Sequence, residues 1–354
     1  MALLCEFERR ELSSGVRRRA DSVSHWMELD GAEVTWVSIW DGAKRSGAGG
    51  TSRIRAAWRY GTQREILAEY EDVVVIALGA AQMVLAALLI GRRKAVFLDA
   101  CDSWALQFRY RAVGRKLSSV AALFGGMLQQ LGSRYLRGVF YISERDLKAD
   151  RRLVSGLTAV VVPQSVSSSL QGLPPVERVD RIVVPGDFTS FHNYRYLADV
   201  TEALARAKLR HPSLALEVSG VGSAEARIPP LFVRRGLVPD IADVYGGNTG
   251  VALVCGSGSG IPNRFLEAVA TGRPVLLHTS LKYLAPVGGS GIYWFTGRGD
   301  VDEAVEQMCS YTGPAVAAPQ DRLDGGSARS WAQATSDSRR GKSSCRTRSC
   351  DDGD

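Results

Sequence analysis

The chain has 354 residues, of which 45% are hydrophobic and 23% charged, and its formal net charge is +7. These values are typical of a soluble globular protein of two domains and exclude a chain too polar to form a core. The positive charge suits a phosphate-bearing substrate, an anionic membrane surface or nucleic acid, and charge alone does not choose among them.

The cysteines and histidines argue against a disulfide framework and against a metal site. The six cysteines include no CxxC pair, and the four histidines have no metal-ligand spacing. Cys101 and Cys255 lie beside apolar runs, as buried thiols do, so we expect a reducing, cytoplasmic environment and no metal or cofactor. The apolar start "MALLC" is followed at once by "EFERRE", which is not the pattern of a signal peptide.

Strand-like and helical segments alternate along the first half of the chain. The candidate strands are "AEVTWVSIW", "DVVVIAL", "KAVFLDA", "GVFYIS" and "AVVVP". Helices are predicted over about residues 17–29 and 104–135, and another follows "ISERD" with Ser143 as its N-cap. This alternation predicts a parallel sheet covered by helices.

The segment "VVVIALGAAQMVLAALLIG", residues 73–91, has two interpretations. It is long enough to span a bilayer, and the "RRK" after it suits a cytoplasmic flank. Alternatively it is a strand, a break at Gly79 and a helix, followed by the next strand. Because strands of parallel sheets are continuous apolar runs, we favour the buried strand–helix–strand unit.

The second half repeats the alternation after a polar break. Residues 164–180, rich in Ser, Gly and Pro, predict an interdomain linker. Strands are then predicted at "RIVVPGD", "LALEVSGVG", "RGLV", "GVALVC" and "RPVLLH", with helices over residues 194–209 and 263–271. The end of the chain has almost no aliphatic residues, which predicts disorder. We therefore predict an α/β protein with domains over residues 1–165 and 181–319, a linker over 166–180 and a low-complexity tail over 320–354.

The stretch "GSGSGIPNRFLEA", residues 256–268, is the strongest functional signal. It lacks the third glycine of a dinucleotide fingerprint, because Ile261 or Asn263 stands there, and it is not a P-loop. Glycine amides and a helix N-terminus suit an anion. Arg264 is placed to contact a phosphate, and Glu267, one turn later, suits the paired hydroxyls of a ribose. The alternative is a helix cap with a surface Glu–Arg pair.

Several segments together resemble one enzyme family. "GSGIPNRFLEAVATGRPVLLH", residues 258–278, resembles the donor-site segment of retaining, two-domain (GT-B fold) glycosyltransferases of the family 4, or group 1, type. "RIVVPGDFTSFHNYRYL", "HPSLALEVSGVG" and "GLVPDIADVY" are similar to the preceding segments of that family, in the same order. The likeness is specific in the second domain and loose in the first.

The resemblance implies two Rossmann-like domains facing across a cleft and a metal-independent hexosyl transfer that retains configuration. The sugar would pass from a nucleotide-sugar donor to a glycan or lipid-linked acceptor. The catalytic residues would be Arg264, which with the loop amides stabilises the departing diphosphate, and Glu267, which holds the ribose. The donor-binding residues so implied are Gly15, Gly186, Gly258, Ser259, Gly260, Ile261, Asn263, Arg264 and Glu267.

Three places depart from the family pattern. Ser259 stands where the first of two acids is usual, and Asp187 follows Gly186 where a basic residue is usual. His192 and Asn193 replace the usual lysine neighbourhood. A second hypothesis is therefore a nucleotide-sugar-binding module of the same fold that has lost turnover.

The acceptor side is marked only by positive charge. Arg17, Arg18 and Arg19 open the first predicted helix and suit a lipid-phosphate acceptor or an anionic membrane surface, which would place the protein at the inner face of the membrane in polysaccharide biosynthesis. The alternative is a solvated helix face. No aromatic–basic interleaving is present, so no nucleic-acid partner is expected.

Overall fold

The computed structural model describes residues 1–5, 14–29, 31–38, 58, 69–76, 85–86, 88–90, 95–103, 106, 136–151, 159–162, 164–170, 172–189, 194–256, 260–284 and 291–313. These residues form two compact units, here called the first and second domains, with the division between Ser165 and Val166. The predicted tail lies outside the described residues, as does nearly all of the helix predicted over 104–135. The domain boundaries given above stay predictions.

The first domain contains one six-stranded parallel sheet. Its strands are β1 (Ala2–Cys5), β2 (Thr35–Ser38), β3 (Asp72–Ile76), β4 (Ala95–Cys101), β5 (Gly138–Tyr141) and β6 (Ala159–Val161), in the order β2-β1-β3-β4-β5-β6. The described helices are α1 (Ser14–Leu29) and α2 (Glu144–Arg151). The predicted N-cap of α2 is confirmed, because Ser143 Oγ accepts a hydrogen bond from the Asp146 amide at 3.1 Å.

Both faces of this sheet are buried, which explains the apolar strand sequences. Val73 and Val75 of β3 pack on one face, whereas Val74 and Ile76 pack on the other. On the first of these faces lie helical residues from the segment after β3, of which Leu85 and Leu89 have no exposed surface. The strand–helix–strand interpretation of residues 73–91 is therefore confirmed. Among the described residues, no helix is both long and apolar enough to cross a membrane.

The second domain has its own six-stranded parallel sheet. Its strands are β7 (Arg181–Pro185), β8 (Ala215–Ser219), β9 (Val233–Arg234), β10 (Thr249–Ala252), β11 (Val275–His278) and β12 (Ile292–Phe295), in the order β12-β11-β10-β7-β8-β9. The helices are α3 (Leu197–Arg210), α4 (Ile241–Tyr245), α5 (Asn263–Ala270) and α6 (Val301–Cys309). The predicted α/β class with parallel sheets is confirmed in both domains.

The strand predictions were incomplete in two places. β1 lies between β2 and β3 but was not predicted, because a four-residue apolar run at the start of the chain gives too little periodicity. The prediction of a strand at "RGLV" was also wrong. The strand there, β9, ends at Arg234, before that segment begins.

Two segments near the ends of the second domain lie close together. Arg178 and Thr312 form an isolated antiparallel bridge, and the Gly313 amide donates to the Glu177 carbonyl at 3.2 Å. α6 packs on α3, where Arg206 pairs with Asp302 at 2.8 Å. The last described helix, α6, therefore packs against α3 of the same domain.

Candidate functional site

The glycine-rich stretch follows β10 and leads into α5, at the carboxyl edge of the second sheet. β10 ends at Ala252, three residues before the predicted end at Cys255, and α5 begins at Asn263 as predicted. Gly260 has a φ of +72°, which favours glycine. Its carbonyl accepts a hydrogen bond from the Tyr283 hydroxyl at 2.9 Å. Ile261 is half-buried beside it, whereas Gly258 and Ser259 lie outside the described residues.

Arg264 and Glu267, predicted to contact different parts of a ligand, contact each other. Arg264 Nη1 lies 2.9 Å from Glu267 Oε2 and 3.3 Å from Oε1. The three-residue spacing on α5 places the two side chains on one face. The alternative interpretation predicted a Glu–Arg pair on the surface. Glu267 has no exposed surface, so the pair points into the domain instead.

Tyr245, at the end of α4, completes this cluster. Its hydroxyl donates to Glu267 Oε2 at 2.7 Å, and its side chain is fully buried. Burial lowers the pKa of the Arg264 guanidinium, but the negative charge of Glu267 and the Tyr245 hydroxyl outweigh it, so this pKa is raised. The Glu267 carboxylate is therefore held in its direction by Arg264 and Tyr245. Tyr245 was not among the predicted site residues, although it lies in "GLVPDIADVY", one of the segments that carry the resemblance.

The predicted Gly186 lies in the turn after β7 and contacts the turn after β8. Gly220 has a φ of +119°, and a Cβ atom built there would lie 1.8 Å from the Gly186 carbonyl oxygen. The Gly186 amide donates to the Ser219 carbonyl at 2.9 Å. Two strand ends therefore approach each other at a distance that only glycine permits, which leaves backbone at the edge of the sheet.

Asp187, the departure from the family pattern, has a local structural role. Its Oδ1 accepts hydrogen bonds from the Thr189 amide at 3.0 Å and from the Thr189 hydroxyl at 2.5 Å. This is the bonding of an Asx turn, which an arginine or lysine could not form. The carboxylate is thus engaged, and the residue is exposed.

Three further side chains at this edge were missed by the sequence analysis. Tyr196 and His278 stack with their ring centres 3.9 Å apart. His278 Nε2 lies 2.8 Å from the Thr296 carbonyl oxygen, which can only accept, so Nε2 carries the proton. Arg195 lies over the Tyr196 ring, at 5.6 Å from its centre. No sequence motif brings these residues together, since their proximity is tertiary.

In the first domain, the run of three arginines does not form one basic face. Arg17 is exposed, but Arg19 is buried and its Nη2 lies 2.6 Å from Asp99 Oδ1. Arg19 also donates to the Val162 carbonyl oxygen. The prediction that Arg19 contributes to a surface patch is therefore wrong. Arg19 faces the sheet because it lies one position before Ala20, on the buried side of α1.

More buried polar side chains surround the carboxyl edge of the first sheet. Asp150 accepts hydrogen bonds from Ser103 Oγ and from the Tyr141 hydroxyl, both at 2.6 Å. Asp146 accepts from the Ser103 amide at 2.8 Å. Among the described residues, no group of three or more His, Cys, Asp or Glu side chains is placed to hold a metal ion. Gly15, the one predicted donor-site residue of this domain, lies in the first turn of α1.

Comparison with known proteins shows similarity in structure only. No protein-family model matches the sequence, and no curated protein does either. A glycosyltransferase from Rickettsia africae ESF-5 is similar with a TM-score of 0.57 and 12% identity, over 96% of this chain and 93% of that one. The α,α-trehalose 6-phosphate synthase from Burkholderia multivorans is similar with a TM-score of 0.64 and 10% identity, over 98% of this chain and 99% of that one.

The same architecture also occurs in an epimerase. The UDP-GlcNAc 2-epimerase from Methanocaldococcus jannaschii matches with a TM-score of 0.54 and 9% identity, over 96% of this chain and 99% of that one. Identities this low establish the fold and nothing further about the reaction. With two parallel Rossmann-like sheets in one chain, the protein has the GT-B fold that the sequence predicted.

Proposed function

We propose that the protein is a glycosyltransferase and that its second domain binds a nucleotide-sugar donor. The observation that carries this proposal is the carboxyl edge of the second sheet. There the turns at Gly186 and Gly220 leave backbone accessible, and the glycine-rich stretch leads into α5. Ligands of open α/β sheets bind at the carboxyl ends of the strands. Glycine amides and a helix N-terminus favour phosphate there.

The roles of the individual residues follow from their contacts. Negative charge grows on the departing diphosphate, and amides near Gly260 together with a cation would stabilise it without a metal. We propose that Glu267 accepts the ribose hydroxyls, as the resemblance implies. Tyr245 would keep the carboxylate in direction by its bond to Oε2. Ile261 and Asn263, at the N-terminus of α5, would line the same site.

The resemblance extends this proposal to the reaction class. It supports transfer of a hexosyl group with retention of configuration, in which the first domain binds the acceptor and Gly15 contacts the diphosphate. Two of the structural neighbours, a glycosyltransferase and a sugar-phosphate synthase, are consistent with chemistry on activated sugars.

One observation favours a second candidate, a binding module of the same fold without turnover. Asp187 places a negative charge in the turn after β7, at the edge where a diphosphate would bind. Such a charge opposes an anionic leaving group. The two candidates agree on donor binding and differ in whether the donor reacts.

The experiment is a panel of uridine, guanosine and adenosine diphosphate sugars incubated with the protein. The enzyme is expected to release nucleoside diphosphate slowly by hydrolysis, and Glu267→Gln is expected to lower donor affinity about tenfold or more, because charge-assisted hydrogen bonds are lost. Glu303→Gln, on the exposed side of α6, is the matched control. Circular dichroism and thermal unfolding of both variants show that the fold is intact.

The outcomes separate the candidates. Release that falls with Glu267→Gln and not with Glu303→Gln supports the enzyme. Binding without release, and without epimerisation of the sugar, supports the module. If no nucleotide sugar binds the wild-type protein, the proposed function is wrong.

For the acceptor we propose a glycan or lipid-linked phosphate at an anionic membrane surface, in polysaccharide biosynthesis. The support is limited to the positive charge of Arg17 and Arg18, since Arg19 is buried. Sedimentation with vesicles tests it. Binding to vesicles with anionic phosphatidylglycerol that Arg17→Ala reduces would support the proposal, and equal binding to purely zwitterionic vesicles would contradict it.

A further inference from the structure

The short helix α4 ends against two arginines at the amino edge of the second sheet. The last carbonyl groups of a helix have no donor within the helix itself. Arg181, the first residue of β7, donates through Nη2 to the Gly246 carbonyl at 2.8 Å. Arg273, two residues before β11, donates through Nε to the Tyr245 carbonyl at 2.6 Å. The two guanidinium groups therefore hold the end of α4.

Arg273 also binds backbone outside α4. Its Nη1 donates to the Pro174 carbonyl at 2.8 Å and to the Thr271 carbonyl at 2.9 Å. Pro174 lies in the predicted linker, and Thr271 directly follows α5. Arg273 is only 3% exposed, and among the described residues it pairs with no acid. Its hydrogen bonds therefore join α4, α5 and the linker through their backbones.

The Arg273 guanidinium remains charged at neutral pH in spite of its burial. Burial lowers its pKa to about 10, and the charge of Arg181 acts in the same direction. At pH 7 the group is therefore still protonated. Hydrogen bonds from a charged donor are stronger than those from a neutral one, so the Tyr245 carbonyl is firmly held.

Tyr245 and Thr271 both connect Arg273 to Glu267. The Tyr245 hydroxyl donates to Glu267 Oε2 at 2.7 Å. The Thr271 amide and hydroxyl donate to the Glu267 carbonyl at 3.1 and 2.8 Å. Each of these two residues gives its own carbonyl to Arg273. One buried side chain thus contacts both residues that hold Glu267 at its backbone and at its carboxylate.

We propose that Arg273 is a positioning residue of the ribose site. It fixes the ends of α4 and α5 and thereby sets where the Glu267 carboxylate lies. It does not touch the ligand, because it lies at the amino edge of the sheet and the ligand is proposed at the carboxyl edge. The rigid fork of an arginine reaches several carbonyls at once, which one ammonium group does not do in the same geometry. This inference rests on the proposed function, since it requires Glu267 to accept the ribose hydroxyls.

The test measures the preference for ribose over a sugar that lacks its hydroxyls. Uridine, guanosine and adenosine diphosphates and their 2′,3′-dideoxy counterparts are titrated by calorimetry. The wild type is expected to bind the ribose form about tenfold or more tightly, because charge-assisted hydrogen bonds are made only to that form. Arg273→Met keeps an apolar chain without donors and should reduce the preference to about threefold or less. The affinity for the dideoxy form should change less than about twofold.

Two further variants test whether the effect passes through Tyr245. Tyr245→Phe should also reduce the preference, and the double variant with Arg273→Met should lose no more than the larger single change, because the two residues act on one carboxylate. Arg273→Lys keeps one charged donor and is expected to fall between the wild type and Arg273→Met. If Arg273→Met does not fold, Arg273→Lys carries the same comparison.

Val305→Ala is the matched control for a loss of stability. Val305 of α6 is fully buried, and it packs on the opposite face of the sheet from Tyr245. The cavity is expected to lower the stability of the domain. It should leave the preference for ribose within about twofold of the wild type. Thermal unfolding of every variant shows that each is folded at the temperature of the titration.

The outcomes distinguish this inference from the proposed function. If the wild type prefers ribose, Glu267→Gln abolishes the preference and both Arg273 variants retain it, Arg273 is not a positioning residue and the proposed function stands. An equal loss of affinity for the ribose and dideoxy forms in Arg273→Met also overturns the inference, because a merely structural role would act on both. If the wild type binds no nucleotide, or binds without preferring ribose, the role of Glu267 fails and the inference fails with it.

Discussion

Charged side chains at the carboxyl edges of the two sheets differ in whether they are buried and paired. In the first domain, Arg19 and Asp99 are buried and neutralise each other, and Asp150 is satisfied by a serine and a tyrosine. In the second domain, glycine backbone forms much of the edge, and Arg195 is exposed without an acidic partner among the described residues. Arg19 and Asp99 at the first edge are buried as a pair, whereas Arg195 at the second edge is exposed.

The largest effect is expected when one partner of the buried Arg19–Asp99 pair in the first domain is removed. Arg19→Ala leaves Asp99 buried and unpaired, and it is expected to destabilise the first domain by about 3–5 kcal/mol. Arg17→Ala, two residues away and exposed, should change stability by less than about 0.5 kcal/mol. Hydrogen exchange measured by mass spectrometry along a denaturant series locates the effect. Equal protection of β3 and β4 in the two variants would contradict the buried pair.

A side chain added to a glycine at the carboxyl edge of the second sheet is expected to have the next largest effect. Gly220→Ala forces a Cβ atom against the Gly186 carbonyl at a φ of +119°, so it should cost about 3 kcal/mol. Gly236→Ala also has a positive φ but meets no atom within 4 Å, and it should cost about 1–2 kcal/mol. Denaturant unfolding of the second domain separates the two. If the costs are equal, the close approach of the two turns does not constrain this edge.

The buried carboxylate of the second domain gives a smaller effect. Tyr245→Phe removes the hydroxyl that donates to Glu267, and it should cost about 1–2 kcal/mol of stability. Tyr283→Phe removes a bond to the neutral Gly260 carbonyl and should cost less, about 1 kcal/mol. The same unfolding measurement ranks them. A larger cost for Tyr283→Phe would mean that the Glu267 carboxylate is not held by Tyr245.

The smallest effect is a dependence on pH. Burial lowers the pKa of His278, Arg195 lowers it further, and the hydrogen bond to Thr296 and the charge of Asp300 oppose this. Below the unfolded-state pKa of about 6.5, the unfolded chain binds a proton that the folded domain does not, so stability falls as pH falls. His278→Phe, which retains a ring against Tyr196, should therefore flatten the stability profile between about pH 7.5 and about pH 5.5.

A histidine control sharpens that measurement. His25 lies exposed on α1, and His25→Gln should leave the profile of the second domain unchanged. If His278→Phe has the same slope as the wild type, the imidazole does not titrate differently in the folded domain.

Much of the fold was predictable because parallel strands buried on both faces have continuous apolar sequences. "DVVVI" and "RIVVP" show this directly, since adjacent residues pack on opposite faces of their sheets. β12 and α6 were not predicted, although "IYWF" is aromatic and β-branched and α6 buries Val301, Val305 and Met308 at helical spacing. Those signals were present in the sequence.

The candidate site was predictable only as far as local spacing extends. The three-residue interval placed Arg264 and Glu267 on one face of α5, but it did not show that they pair with each other under Tyr245. The contact of Arg195 with Gly256 joins residues from separate strand–helix units, and no periodicity encodes it. The burial of Arg19 could not be predicted from the sequence, because runs of arginine are usually solvated.

The bridge between Arg178 and Thr312 joins two segments near the ends of the second domain. Beside it, the Gly313 amide donates to the Glu177 carbonyl. Domains whose ends lie close together tolerate circular permutation and insertion into a loop of a host protein. A linker that leads from beyond residue 313 back to Val166 would keep the buried Leu170 and Val176 in the closed domain. New termini could then be opened on a surface turn.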